Sequence, residues 1–121
     1  MVFKESKPIY LQIADRLMDE IQLGKYVEGE RIPSVREYAA VVEVNANTVV
    51  RSYDYLQSMD IIYNKRGLGY FTQEGAQDRI FAARREAFLT SSMPEVFRQM
   101  DLLQISTDEI VRLYEEYQAK K

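Results

Sequence analysis

A chain of 121 residues, 46% hydrophobic and 29% charged, has the size of one domain plus an appendage and the balance of an ordinary folded protein. It contains no cysteine and no histidine, which removes disulfides, thiolate metal sites, the commonest general base and the commonest zinc ligand. No enzyme activity, cofactor or metal is therefore expected. The net charge is −3, and neither half is basic: residues 1–73 hold nine Lys and Arg against ten Asp and Glu, residues 74–121 seven against nine.

A nucleic-acid partner would accordingly have to meet positive charge gathered on one face, for which Lys4, Lys7, Arg36, Arg51, Lys65 and Arg66 are the candidates. No apolar run approaches the roughly 18 residues of a membrane span. The opening Met-Val-Phe-Lys-Glu-Ser-Lys-Pro lacks the apolar stretch of a secretory signal. A cytoplasmic protein is expected.

In chain order, the first helical pattern starts at Pro8 and runs to about Gly24. Ile9, Ile13, Leu17 and Ile21 recur every four residues, with Tyr10 and Ala14 alongside, as one apolar stripe. Lys25–Pro33 carries one glycine, Gly29, and a proline and reads as a turn-rich connection.

Ser34, with Glu37 three residues on, forms a capping box for a short helix ending near Val42, with Val35, Ala39 and Val42 inward. Asn45 caps the next helix, and Val44 and Val49 are spaced as a hydrophobic staple. Its apolar stripe is Val49, Tyr53 and Leu56. At ~100° per residue, Asn47 and Arg51 fall roughly 160° to either side of Val49, on the outer face. One buried helix crossed by another that offers amide and guanidinium groups outward is the layout of a DNA reader.

Ile61–Asn64 and Tyr70–Thr72 are β-prone runs joined by Lys65-Arg66-Gly67-Leu68-Gly69, which predicts a β-hairpin. The expected fold is thus mainly α with a small β-hairpin: a winged helix-turn-helix over residues 1–73. Residues 74–121 follow as a short helical dimerisation tail, too small to build a core alone.

In that tail Ile80, Phe81, Ala87 and Phe88 share a side of a helix ending near Ser91. Ser92 with Glu95, and Ser106 with Glu109, read as two more capping boxes. The residues expected to pair two subunits are Ile80, Phe81, Phe88, Phe97, Met100, Leu103, Ile110, Leu113, Tyr114 and Tyr117.

Chemically, Ser34 and the N-terminus of its helix can hold a phosphate, with Arg36 contacting backbone or a base edge. Asn47 can pair with adenine and Arg51 with guanine through two hydrogen bonds each, while Thr48 suits a phosphate oxygen or a thymine methyl. Lys65, Arg66 and Gly67 at the hairpin tip can enter the minor groove or follow phosphates. Residue by residue the bland alternative is strong: Ser34 and Asn45 cap helices, and Arg51 pairs with Asp54 or Glu43. The ordered set favours DNA.

Four stretches resemble the GntR family of bacterial transcription regulators: Pro8–Ile13, Gly29–Glu37, Val44–Tyr53 and Arg66–Phe71. The short helical tail is similar to the YtrA-type branch. The resemblance implies a homodimeric repressor that binds an inverted-repeat operator, with the recognition helix (about 45–58) in the major groove and the 64–70 wing alongside. By position it also implies DNA contacts from Arg36, Asn45, Asn47, Thr48, Arg51 and Gly67.

Two residues depart from the family pattern. Glu43 stands where glycine is common, and Ala46 replaces the Pro or Arg often found after the cap. Two alternative readings stand beside the regulator: a winged-helix protein-interaction module, favoured by the acidic balance, and a sensor holding an unidentified small-molecule effector between the tail helices.

Overall fold

The computed structural model describes residues 6–121, so Lys4 lies outside the described residues. The element order is α1 (Ile9–Gln22), α2 (Val35–Val42), α3 (Ala46–Ser58), β1 (Ile62–Lys65), β2 (Gly69–Thr72), α4 (Ala76–Ala87), α5 (Met93–Leu103) and α6 (Thr107–Ala119). The chain divides into two compact units between Ala83 and Arg84.

In the first unit the period-four stripe of α1 is buried as expected at Ile13, Leu17 and Ile21, while Ile9, in the opening turn, is exposed. Tyr38, Ala39 and Val42 of α2 and Val49, Tyr53 and Leu56 of α3 complete the helical core. Each of the larger side chains contributes about 1.5–3 kcal/mol on burial. Ile32, Ile61, Ile62, Ala76 and Ile80 close it.

Ile80 was expected among the residues that pair two subunits. It is instead wholly inside this core, because the first turns of α4 fold onto it. Gln77 helps hold α4 there, donating from Nε2 to the Ile21 carbonyl at 2.9 Å.

The capping signals act locally. Ser34 and Glu37 form the full reciprocal box at the start of α2. Glu43 then takes the left-handed conformation (φ 58°, ψ 49°), and the Val44 amide returns to the Ala39 carbonyl at 3.1 Å. Asn45 opens α3 by accepting the Asn47 amide at 2.7 Å. A helix, a two-residue reversal and a second cap leave no room for anything but a helix-turn-helix.

The hairpin pairs Ile62 with Thr72 through Lys65 with Gly69. It has an unforeseen neighbour: the segment before α2 runs along β2. The Ile32 amide donates to the Tyr70 carbonyl and the Thr72 amide to the Glu30 carbonyl, both at 2.9 Å. The wing is therefore pinned to the connection that leads into α2.

In the second unit, Ser92 does not cap a helix. It is itself helical (φ −76°, ψ −44°), at the end of a π-helical segment Phe88–Ser92 that leads into α5. Pro94, in the first turn of α5, needs no amide partner there. Ser106 does cap α6, accepting the Glu109 amide at 3.2 Å. From Arg84 to Lys121 no residue is buried, so the apolar faces of this unit lie open.

Candidate nucleic-acid interface

Helix α3 is held from three sides. The Ser52 hydroxyl donates to the Tyr10 carbonyl of α1 at 2.7 Å, and the Tyr53 hydroxyl to the Pro33 carbonyl at 2.7 Å. The Tyr53 ring meets Tyr70 of the wing edge-on, with centroids 4.9 Å apart. Burial pushes the Tyr53 and Tyr38 hydroxyls well above the usual phenol range, and Glu20, which accepts from Tyr38, adds to the shift there. A helix anchored in this way presents its remaining face in a fixed orientation.

That face carries Asn47 and Arg51, both exposed. Among the described residues Arg51 forms no ion pair with Asp54 or Glu43. Its guanidinium lies instead over the Tyr10 ring, 4.1 Å from the centroid. Thr48 is half-buried beside them, and Asn45 is exposed with its side-chain oxygen committed to the cap.

At the start of α2, the box engages the amides of Ser34 and Glu37, each at 3.1 Å. Ser34 and, more weakly, Arg31 hold the Glu37 carboxyl below the usual carboxylate range. A carboxylate therefore already serves this helix N-terminus, and a phosphate there would compete with it. Arg36 is exposed.

On the wing, Lys65, Arg66 and Gly67 are exposed, and the Leu68 amide closes the turn onto the Lys65 carbonyl at 2.9 Å. Gly67 has φ +81°, which favours glycine. Lys65 lies over the Phe71 ring at 5.0 Å. Lys7 is paired with Asp15 and so adds little net charge. Sequence reasoning missed Tyr10 and Arg31, the latter packed against Gly69 at the base of the wing.

Among the described residues no three Asp or Glu side chains gather as a metal site, and no helix is long and apolar enough to cross a membrane.

Three helices, a paired wing and an outward amide and guanidinium on the third helix define a winged helix-turn-helix DNA-binding domain. The family model for bacterial regulatory proteins of the gntR family matches residues 9–71, and the chain belongs to this family. Its members among the relatives are transcriptional regulators, not enzymes.

The chain is 41% identical over 75 residues to the HTH-type transcriptional regulator YhcF of Bacillus subtilis, covering 62% of each chain. It is 36% identical over 74 residues to the HTH-type transcriptional repressor YtrA of the same organism, covering 61% of this chain and 57% of YtrA. Less than two thirds of either relative is thus matched. A solved structure of a GntR-family protein from Bacteroides thetaiotaomicron is 53% identical with a TM-score of 0.82, covering 93% of this chain and 98% of that one.

Proposed function

We propose that this protein is a cytoplasmic, homodimeric transcriptional repressor that binds an inverted-repeat operator. The observation that carries the reading is the exposed Asn47–Arg51 face on an α3 whose opposite side is buried and anchored through Ser52 and Tyr53. In this reading α3 enters the major groove, Asn47 and Arg51 read base edges, and Thr48 and Arg36 hold the backbone. Lys65, Arg66 and Gly67 lie along phosphates or in the minor groove.

Residues 1–73 bind DNA and 74–121 pair the subunits, although the first turns of α4 belong to the winged-helix core. The open apolar side chains of the tail support this division. Phe81 is 61% exposed, Leu103 67% and Tyr117 60%; Phe88, Phe97, Ile110, Leu113 and Tyr114 are exposed too, and Met100 half-buried. Apolar surface this extensive on short helices is stabilised by a second copy. Similarity to YtrA, named as a repressor, supports the sign of regulation.

Selection from a random duplex pool at moderate salt, with sedimentation equilibrium on the same protein, tests the reading. Enrichment of an inverted repeat with half-sites about 34–36 Å apart, bound by a dimer, is expected. A pool with no enrichment overturns it and favours a protein-interaction module. A monomer bound to an unrepeated site overturns the dimer.

A further inference from the structure

The aromatic ring beneath Arg51 belongs to a different helix and has no part in the apolar core. Tyr10 is half-buried at the start of α1, and α3 itself fixes it. Ser52, the residue after Arg51, donates to the Tyr10 carbonyl at 2.7 Å. Tyr55, one turn beyond Arg51, meets the Tyr10 ring edge-on with centroids 6.4 Å apart and planes at 80°. Between these two grips the Arg51 guanidinium sits 4.1 Å from the ring centroid, closer than Lys65 over Phe71 at 5.0 Å or Arg16 over Tyr38 at 6.0 Å.

We infer that Tyr10 is a positioning residue for DNA readout: its ring stacks the Arg51 guanidinium in an orientation that leaves the in-plane N–H groups free for a base edge. The inference rests on the proposed role of Arg51 in that readout.

The chemistry supports it in two ways. A guanidinium on an aromatic face is attracted through its flat π surface, whereas its hydrogen-bond donors point outward in the plane. A carboxylate partner would consume those donors; a ring leaves them all available for two bonds to guanine. Arginine also has many rotamers, and a side chain already held loses less freedom when it binds. Tyr10 thus acts on the discrimination that Arg51 provides, not on general affinity for duplex DNA.

The test measures relative affinities of the full chain for a selected duplex and for its single-base-pair variants. Arg51→Ala is expected to erase preference at one base pair. Tyr10→Leu should lower preference at that same pair about three- to fivefold, the strength of an exposed cation–π contact. Other positions should keep theirs, and Tyr10→Phe should match the parent.

In an Arg51→Ala background, Tyr10→Leu should change nothing further at that pair. Should Tyr10→Leu fail to fold, phenylalanine with increasing ring fluorination at position 10 keeps the shape while draining the ring's negative face. Preference at the Arg51 pair should then fall stepwise with fluorine number.

An even loss across all sequences, or an unchanged preference where Arg51→Ala alters it, overturns the role of Tyr10 alone. Unchanged preferences in Arg51→Ala overturn the underlying DNA role of Arg51, and the inference with it.

Discussion

The Tyr53 hydroxyl donates to the Pro33 carbonyl at 2.7 Å, tying the middle of the recognition helix to the residue just before the α2 capping box. Two elements twenty positions apart in the chain are thereby held at a set distance, and the same ring reaches the wing through Tyr70. Tyr53→Phe keeps the packing and leaves the carbonyl unpaired, so it should cost about 1 kcal/mol. Tyr53→Ala removes the ring from a fully buried site and should cost about 3–5 kcal/mol. Chemical denaturation followed by circular dichroism checks both. Equal midpoints for Tyr53→Phe and the parent would show that the hydrogen bond carries nothing.

Tyr38 and Tyr53 have hydroxyls raised above the usual phenol value by burial. A raised folded-state pKa favours the protonated form on folding. Their contribution is therefore fully present below the unfolded value of about 10 and is lost as pH rises beyond it toward the folded values. Thermal stability should fall steeply above about pH 10, and Tyr38→Phe should flatten part of that fall. In an absorbance titration the exposed tyrosines should ionise first, with these two following only as the fold opens. Ionisation of all nine in one step with the fold intact would contradict this.

Glu43 stands in the left-handed conformation at the turn between α2 and α3. A residue with a Cβ is strained there by about 1–2 kcal/mol, part of which glycine recovers before its own entropy cost. Glu43→Gly should stabilise the fold by up to about 1 kcal/mol. Removing a carboxylate from the turn between these helices should also tighten duplex binding, more at low salt than at high. A less stable Glu43→Gly would mean that the glutamate side chain makes a compensating contact.

Much of this was legible in the sequence because the signals were local. The Ser34 box, the Asn45 cap, the Val49–Tyr53–Leu56 stripe and the hairpin each depend on residues within a few positions of one another. What escaped was long-range or ambiguous. The pairing of Glu30 and Ile32 with β2 uses backbone groups that carry no side-chain signature. Ile80 has tail-like neighbours in sequence, yet α4 turns it into the first core. Ser92 with Glu95 has the spacing of a capping box, but the same spacing fits inside a helix, and the backbone stays helical there. The Tyr10–Arg51 stack joins residues forty-one positions apart and follows no periodicity.

Lys65 is exposed at the wing, its ammonium over the Phe71 ring. As a phosphate contact it carries no sequence information. Lys65→Ala should weaken binding to all duplexes evenly and reduce the slope of log affinity against log salt by about 1. Titrations at several salt concentrations check this. A change confined to one base pair would instead make Lys65 a base reader.

Whether the Asn47–Arg51 face reads DNA is tested most directly by fluorescence anisotropy of the parent and Arg51→Ala on a selected duplex and a scrambled one. The parent should prefer the selected duplex, and Arg51→Ala should lose about 1–3 kcal/mol of that preference while binding the scrambled duplex almost as the parent does. An Arg51→Ala protein that keeps the full preference would contradict the account.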